Sequence, residues 1–209
     1  EIANNVGYPV LVRPSYVLGG RAMEIAQNEN ELKRSLARGL KEVPGQPILI
    51  DRYLIGIEVE VDAICDGTDV LIPGIIQHIE RAGVHSGDSM AVYPPVSLSD
   101  SEINRLIEYT NIIGRSLGII GMMNIQFVIT GSGNYRSIRS YKHSSDRSHL
   151  ESKIHIIEVN PRASRTIPFL SKVTGVPIIQ IATSVMNGKK LIDLPCGSGL
   201  SPKTNIFAV

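Results

Sequence analysis

Apolar and polar residues alternate along several short segments of the chain, and this pattern predicts strands interspersed with helices. Leu32, Leu36 and Leu40 recur at every fourth position, which is typical of an amphipathic helix over residues 29–40. Residues 58–63 alternate strictly between acidic and apolar side chains, which predicts a strand with its acidic face exposed. The same reasoning predicts about seven strands and four helices in all, among them strands at 10–12, 48–50, 70–76, 121–129 and 154–160 and helices at 101–117, at 177–187 and ending near residue 6.

Two of the predicted strands carry polar side chains suited to a metal ion. Successive side chains of a strand alternate between faces, so Gln126 shares a face with Asn124, and Glu158 shares a face with Asn160, while Ile157 and Val159 are expected in the core. If the strands pair, Gln126, Glu158 and Asn160 converge. Such an oxygen-rich set suits Mg²⁺ held against phosphate, with two arginines just beyond as bidentate donors, Arg162 and Arg165. The alternative is an ordinary antiparallel pair that ends in an Asn-Pro turn.

Composition and charge narrow the classes of function. The 209 residues are 43% hydrophobic, enough to bury a substantial core, and the net charge of +1 gives no bulk attraction to nucleic acid or to membrane surfaces. The two cysteines, Cys65 and Cys196, lack metal-ligand spacing, so neither a disulfide framework nor a cysteine metal site is expected. No apolar run reaches the roughly 18 residues that span a bilayer. Because the chain opens on what looks like the end of a helix, we expect a fragment of a longer protein.

Residues 131–153 differ from the rest of the chain in composition. They are rich in serine, carry a net charge of +3 and show almost no apolar periodicity. Such a segment cannot support a packed core, so we expect a disordered insertion in the hairpin between two strands. A surface insertion without function and a basic docking arm are both compatible with this composition.

Two glycine-containing loops are candidates for binding anions. Residues 14–21 follow a predicted strand, and Gly19 and Gly20 would let backbone N–H groups approach phosphate oxygens between Arg13 and Arg21. Residues 82–89 gather glycine, serine, aspartate and histidine side chains, which could hold a ribose or an anion. The alternatives are a simple turn at the glycine pair and a loop-stabilising role for His85.

Four longer motifs occur in a fixed order along the chain, at residues 12–25, 58–67, 78–89 and 157–166. Together they resemble the large chain of carbamoyl phosphate synthetase, and within it the carboxy-terminal of the two homologous ATP-grasp halves. The resemblance covers nearly the whole chain apart from residues 131–153. The choice of half rests on residues 16–24 and on Thr166-Ile-Pro-Phe169.

The resemblance implies an α+β protein with the ATP-grasp fold. A small lid subdomain would cover residues 1–66, and a larger subdomain based on an antiparallel sheet would cover residues 67–209, with ATP held between them. The subdomain that precedes them in the family would be missing. An isolated fragment of this kind is expected to be inactive.

The resemblance also implies roles for individual residues. Arg162 and Arg165 would lie beside the transferred phosphoryl group, and Gln126, Glu158 and Asn160 would bind Mg²⁺ or Mn²⁺. Arg52 departs from a histidine found in some relatives, and one residue is missing near Gly56, which affects only contacts at the adenine edge. The residues expected to bind ATP are Arg13, Gly19, Gly20, Arg21, Arg52, Leu54, Glu58, Gly83, Val84, His85, Ser86, Gln126 and Glu158.

The implied reaction is phosphorylation of carbamate by MgATP, giving carbamoyl phosphate and ADP for arginine and pyrimidine biosynthesis. The expected partners are a glutaminase subunit or domain, which supplies ammonia, and the amino-terminal half of the large chain; neither nucleic acid nor membrane is expected. A cytoplasmic location is expected, with an organelle matrix as the alternative. Two other functions stay open: a different ATP-grasp ligase such as a biotin-carboxylase-like enzyme, and a non-catalytic fragment that serves as an interface.

Overall fold

The computed structural model describes residues 1–15, 23–81, 89–131, 152–202 and 204–209. The predicted insertion at 131–153 lies almost entirely outside these ranges, although its last residue, Lys153, begins a strand. Contacts between Cα atoms divide the chain into two compact units, which we call unit 1 (Glu1–Leu54) and unit 2 (Ile55–Val209).

The described residues of unit 1 form a three-stranded antiparallel sheet and two helices. The strands are β1 (Val10–Pro14), β2 (Glu24–Ala26) and β3 (Ile48–Arg52), in the order β2-β1-β3, and the helices are α1 (Ile2–Val6) and α2 (Glu29–Glu42). Helix α2 begins at Asn28, whose side chain accepts a hydrogen bond from the backbone N–H of Glu31. The predicted helix is confirmed; of the leucines that predict it, Leu32 is buried, whereas Leu40 is 55% exposed.

Unit 2 is built on a six-stranded sheet that is antiparallel except at one edge. Strands β4 to β8 follow the order β6-β5-β4-β7-β8, and the short strand β9 runs parallel to β5. Their bounds are β4 (Ile57–Asp66), β5 (Val70–Arg81), β6 (Ala91–Val92), β7 (Ile120–Thr130), β8 (Lys153–Asn160) and β9 (Gly199–Leu200).

Three α-helices cover the two faces of this sheet. Helix α3 (Asp100–Ser116) covers one face, where Leu106 shares a core with Val59 and Val61. Helices α4 (Ile167–Thr174) and α5 (Ile178–Met186) pack against the other face, where Leu170 and Ile181 share a core with Ile64. Ser99 and Glu102 form a capping box at the start of α3, which explains why that boundary is readable in the sequence.

Strand β4 is buried along its whole length, so the prediction of a half-exposed strand is wrong. Its apolar face packs against α3, as expected from the alternation. Its acidic face, with Glu60 and Asp62, lies on the same side of the sheet as Ile64, which α4 and α5 cover. The acidic residues are therefore enclosed by a part of the chain more than a hundred residues away in sequence.

The division between the units falls at Leu54 and Ile55, whereas the sequence-based boundary follows residue 66. The difference arises because β4 hydrogen-bonds along most of its length to β5 and β7, which makes it a central strand of the larger sheet.

Of the helices that the structure describes, none is by itself long and apolar enough to cross a membrane; α4 and α5 reach that length and apolarity only when they are taken together, across a bend of 113°.

Cys65 is buried and Cys196 is half-buried, and both are free thiols, as expected. Burial raises the pKa of the Cys65 thiol to about 12.

Candidate active site

Strands β7 and β8 pair as the sequence predicts and bring the expected metal ligands together. Gln126 lies directly opposite Glu158, and Asn124 lies directly opposite Asn160. Directly opposed residues of an antiparallel pair point to the same face, so these side chains share one surface. The Nδ2 of Asn160 donates a hydrogen bond of 2.8 Å to Oε1 of Glu158.

Strand β4 extends this polar surface across a third strand. Glu60 lies opposite Gln126, and Asp62 lies opposite Asn124, on the other side of β7. The sheet therefore carries two rows of polar residues that run across β4, β7 and β8. We call them the polar ladder, whose outer rung is Glu60, Gln126 and Glu158 and whose inner rung is Asp62, Asn124 and Asn160.

A β-bulge beside the ladder changes the orientation of one predicted core residue. The register shifts between Gln126 and Phe127, which pair with Glu158 and Ile156, so Ile157 has no partner on β7. Ile157 is 51% exposed, and the prediction that it points into the core is wrong. Val159 packs against the core as expected.

Three of the four ladder residues on β4 and β7 are enclosed, and the fourth, Gln126, is half-buried. Glu60, Asp62 and Asn124 are each at most 3% exposed. The Nδ2 of Asn124 donates to Oε1 of Glu60 at 2.6 Å and to Oδ1 of Asp62 at 2.9 Å. Burial raises the pKa of Asp62, although hydrogen bonds from Thr166, Ser164 and Asn124 oppose that shift.

A buried histidine is attached to the same acidic face. His78 is 3% exposed; its Nε2 lies 3.2 Å from Oε2 of Glu60, and its Nδ1 lies 2.9 Å from the hydroxyl of Ser89. Ser89 in turn donates to Glu80 at 2.6 Å. Burial alone would lower the pKa of His78, but the hydrogen bond to Glu60 and the neighbouring carboxylates outweigh burial and raise it.

The two predicted catalytic arginines follow β8 on the segment that leads into α4. Arg162 and Arg165 are both exposed, and a guanidinium nitrogen of Arg162 donates to the backbone oxygen of Ala163 at 3.1 Å. Between and beyond them, Ser164 and Thr166 are half-buried. Thr166 donates a short hydrogen bond of 2.5 Å to Oδ2 of Asp62. The arginines are therefore carried by a segment that is bonded to the inner rung.

The remaining predicted nucleotide ligands lie in both units, and their roles stay predictions. In unit 1, Arg13 forms an ion pair of 2.7 Å with Asp51, Arg52 is exposed and Leu54 is half-buried. In unit 2, Glu58 is 7% exposed on the acidic face of β4. The predicted residues that lie outside the described ranges are Gly19, Gly20, Arg21, Gly83, Val84, His85 and Ser86.

Five further residues join this polar network without having been predicted from the sequence, namely Glu60, Asp62, Asn124, His78 and Thr166. The available signal was the strict alternation of β4, which places three carboxylates on one face. That pattern is the same for an exposed face and for an enclosed polar network, so it could not separate the two.

Comparison with protein families matches residues 1–194 to the carbamoyl-phosphate synthase L chain, ATP binding domain. The chain belongs to this family. The match covers every residue that the sequence reasoning assigned to the site, including those that lie outside the described ranges.

Solved structures with the same fold are biotin carboxylases and a related carboxylase. The biotin carboxylase of Campylobacter jejuni in complex with β-γ-ATP is 20% identical over 90% of this chain, with a TM-score of 0.70. The biotin carboxylase domain of Hydrogenobacter thermophilus 2-oxoglutarate carboxylase, solved with MgADP, ADP and bicarbonate, is 21% identical over 91% of this chain, with a TM-score of 0.68. Pyruvate carboxylase of Rhizobium etli, solved with acetyl coenzyme A, is 19% identical over 96% of this chain, with a TM-score of 0.68.

These likenesses identify the fold of the chain as the ATP-grasp fold, of the α+β class, as predicted. The chain spans 39% of each of the two biotin carboxylase chains and 16% of the pyruvate carboxylase chain.

The residues of the ladder fit a magnesium ion better than they fit a transition metal. In the described part of the chain, no group of three or more histidine, cysteine, aspartate or glutamate side chains is placed to hold a metal. Gln126, Glu158 and Asn160 instead offer one carboxylate and two amide oxygens. Mg²⁺ is commonly bound through one or two carboxylates, with waters and substrate phosphates filling the other positions, so this donor set suits it.

Proposed function

We propose that this chain catalyses the MgATP-dependent phosphorylation of carbamate, giving carbamoyl phosphate and ADP. The observation that carries the proposal is the polar ladder, which ends in Glu158 and Asn160 next to the segment of Arg162 and Arg165. Membership of the family over residues 1–194 supports the same substrate. The enzyme is thus a ligase of the ATP-grasp type.

Gln126, Glu158 and Asn160 would hold Mg²⁺ or Mn²⁺. When bound, the metal neutralises charge on the phosphate oxygens. The amide nitrogen of Asn160 donates a hydrogen bond to Glu158, and this bond fixes the orientation of the Glu158 carboxylate. The opposed position of Gln126 places its amide oxygen on the same face.

Arg162 and Arg165 would stabilise the phosphoryl group during transfer. A carbamate oxygen attacks the γ-phosphorus in line, the bond between that phosphorus and the bridging oxygen breaks, and the electron pair leaves on ADP. No protein nucleophile is required, so catalysis depends on position and on charge. A guanidinium group offers planar paired donors to phosphate oxygens, which suits both arginines to this task.

The nucleotide itself would be held by residues that lie along the family match. We assign Arg13 to the phosphates, Gly19, Gly20 and Arg21 to a loop that covers them, and Arg52, Leu54 and Glu58 to the adenine and ribose. Gly83, Val84, His85 and Ser86 complete the proposed set. These assignments rest on the order of the motifs along the family match.

The proposal extends to the partners and to the metabolic setting. Carbamate would be formed from bicarbonate and ammonia on a homologous half of the large chain, with ammonia supplied by a glutaminase subunit or domain. The product would serve arginine and pyrimidine biosynthesis in the cytoplasm or in an organelle matrix.

The test is the reverse reaction of the full-length gene product. We expect it to form ATP from carbamoyl phosphate and MgADP, because a phosphoryl-transfer site binds the products of the reaction as well as its substrates. Glu158→Gln should remove this activity. If the unaltered protein forms no ATP, although it binds MgADP, the carbamate proposal is wrong.

A biotin-carboxylase-like reaction is the second candidate, and the fold shared with biotin carboxylases favours it. It predicts that free biotin with bicarbonate, rather than ammonia with bicarbonate, stimulates release of ADP. Measuring ADP release with each acceptor in parallel separates the two candidates.

A further inference from the structure

The segment from Pro161 to Thr166, which we call the arginine segment, joins β8 to α4. Arg162 and Arg165 on this segment are exposed, whereas Ser164 and Thr166 are half-buried. The hydroxyls of Ser164 and Thr166 lie 2.6 Å apart and face the interior of unit 2, where they meet Asp62. Both sequence neighbours of Arg165 therefore carry a hydroxyl that is hydrogen-bonded in the interior of unit 2.

Asp62 is the anchor of both hydroxyls. It is 1% exposed, its Oδ2 accepts from Thr166 at 2.5 Å, and its Oδ1 accepts from Asn124 at 2.9 Å. The hydroxyl of Ser164 lies 2.6 Å from the hydroxyl of Thr166, so both hydroxyls belong to one network on this carboxylate. Breaking a buried hydrogen bond leaves polar groups without a partner, which is unfavourable, so Asp62 holds its donors firmly.

The position of Asp62 connects the arginines to the metal ligands. Asp62 lies on the inner rung of the polar ladder, in line with Asn124 and Asn160. It is bonded through Thr166 to the residue that follows Arg165, and Thr166 is also where α4 begins. One buried side chain thus joins the arginine segment to the rung that carries a proposed metal ligand.

We propose that Asp62 is a positioning residue, which holds the arginine segment through Thr166 and Ser164 so that Arg165 meets the transferred phosphoryl group. The inference rests on the proposed function, because it concerns the same site. Phosphoryl transfer depends on near-attack geometry, and a displacement of about 1 Å away from the chemistry can cost about 100-fold in rate. A segment tethered at two hydroxyls keeps its arginine within that tolerance.

Removing the tether at Thr166 gives the first test, in the full-length gene product. Thr166→Val keeps the size of the side chain and removes the hydroxyl, so kcat for ATP formation from carbamoyl phosphate and MgADP should fall about 10- to 100-fold. The KM for MgADP should stay within about twofold, because the metal ligands on β7 and β8 are unchanged. Thr166→Ser restores the hydroxyl and should restore kcat.

Thr174→Val is the matched control. Thr174 lies on the same helix, and its hydroxyl donates to the backbone oxygen of Leu170 at 2.6 Å, so the variant also loses a helix hydroxyl. It should retain the kcat of the unaltered protein. An equal loss of kcat in both valine variants would mean that Thr166 acts only through the stability of α4, and would overturn the inference.

Asp62→Asn tests the other end of the bond. It should lower kcat, and the double variant with Thr166→Val should be no slower than the slower single variant, because both remove one interaction. Additive losses in the double variant would overturn the inference, since the two residues would then act separately.

Hydrogen exchange of the arginine segment decides the question independently of turnover. Thr166→Val should speed amide exchange in residues 161–166 and leave α5 unchanged. Unchanged exchange in that segment would overturn the inference, whatever the activity. An unaltered protein that forms no ATP would overturn the proposed function instead, and the exchange result would still show whether Asp62 tethers the segment.

Discussion

Gln126 and Glu158 are directly opposed residues of the antiparallel strands β7 and β8, and their side chains share one face of the sheet. The carboxylate of Glu158 is exposed and accepts a hydrogen bond from Asn160, whereas the carboxylate two strands away on the same rung, Glu60, is enclosed. The outer rung therefore runs from a buried acid to an accessible one. An exposed carboxylate beside two amides is the arrangement that a hydrated Mg²⁺ with bound phosphates can use.

Glu158→Gln is expected to remove catalysis without unfolding the protein. Glutamine keeps the acceptor for the Asn160 amide but loses the charge that binds the metal, so turnover should fall at least about 100-fold. Because Glu158 is exposed, the free energy of unfolding should change by less than about 0.5 kcal/mol. Turnover and a urea titration on the same preparation measure both effects.

Glu108→Gln provides the control for that variant. Glu108 is an exposed acid on α3, which covers the opposite face of the sheet. It should leave turnover unchanged. Full activity in Glu158→Gln would remove Glu158 from the metal site.

Arg165→Lys tests whether the arginine acts through its paired donors. Lysine keeps the positive charge but presents a point charge in place of a planar fork, so the substitution is not conservative where an oxyanion is bound through two hydrogen bonds. We expect kcat to fall about 10-fold or more, with a smaller change in the KM for MgADP. Steady-state kinetics with varied MgADP measure the two parameters. A variant with normal kcat would mean that charge alone suffices at this position.

Two glycines in helices should respond differently to alanine. A Cβ on Gly114 in α3 would lie 2.8 Å from Sγ of Cys65 and 3.0 Å from Cγ2 of Val70, both in the core of unit 2. A Cβ on Gly39 in α2 would meet the flexible end of Ile48 at 3.1 Å.

We therefore expect Gly114→Ala to lower the free energy of unfolding by about 1–3 kcal/mol, since overpacking a core costs about that much. Gly39→Ala should change it by less than about 1 kcal/mol, because the gain in helix propensity offsets the small movement of Ile48. Urea unfolding of the two variants checks the contrast. If both variants lost the same free energy of unfolding, the close contacts around Gly114 would not be what limits the packing of α3 on the sheet.

The pairing of β7 with β8 could be predicted because it depends on local alternation. Apolar residues mark each strand, and the polar residues between them fall on one face, so Gln126 and Glu158 converge once the strands pair, which the structure confirms. Helix α3 was predictable for a similar reason, since Ser99 and Glu102 form its cap and Leu106 lies on its buried stripe.

The enclosed part of the site could not be predicted, because it depends on contacts that are distant in sequence. The acidic face of β4 lies on the side of the sheet where α4 and α5 pack, and α4 is a helix of eight residues that the periodicity did not reveal. The bulge at Ile157 also has no signal in the alternation, which would place that side chain in the core. Strands β2, β6 and β9 have two or three residues each, too few to show a period.

His78 should make the stability of the chain depend on pH. It is buried between Glu60 and Ser89, and its pKa is raised because the hydrogen bond to Glu60 and the nearby carboxylates outweigh the effect of burial. A raised pKa in the folded state means that folding favours the protonated imidazole. The resulting stabilisation is fully present below the unfolded value of about 6.5 and is lost as pH rises through the higher folded value.

His78→Gln should therefore cost more stability at about pH 6 than at about pH 9, because the stabilisation is lost as pH rises through the folded pKa. Each pH unit that separates the folded and unfolded pKa values is worth about 1.4 kcal/mol, so the difference is measurable by urea unfolding across this range. Glu60→Gln should also flatten the profile, because it removes the partner of the imidazolium while leaving His78 in place. If the loss caused by His78→Gln were the same at every pH, His78 would be a neutral hydrogen-bonding residue, and the ion pair with Glu60 would have to be rejected.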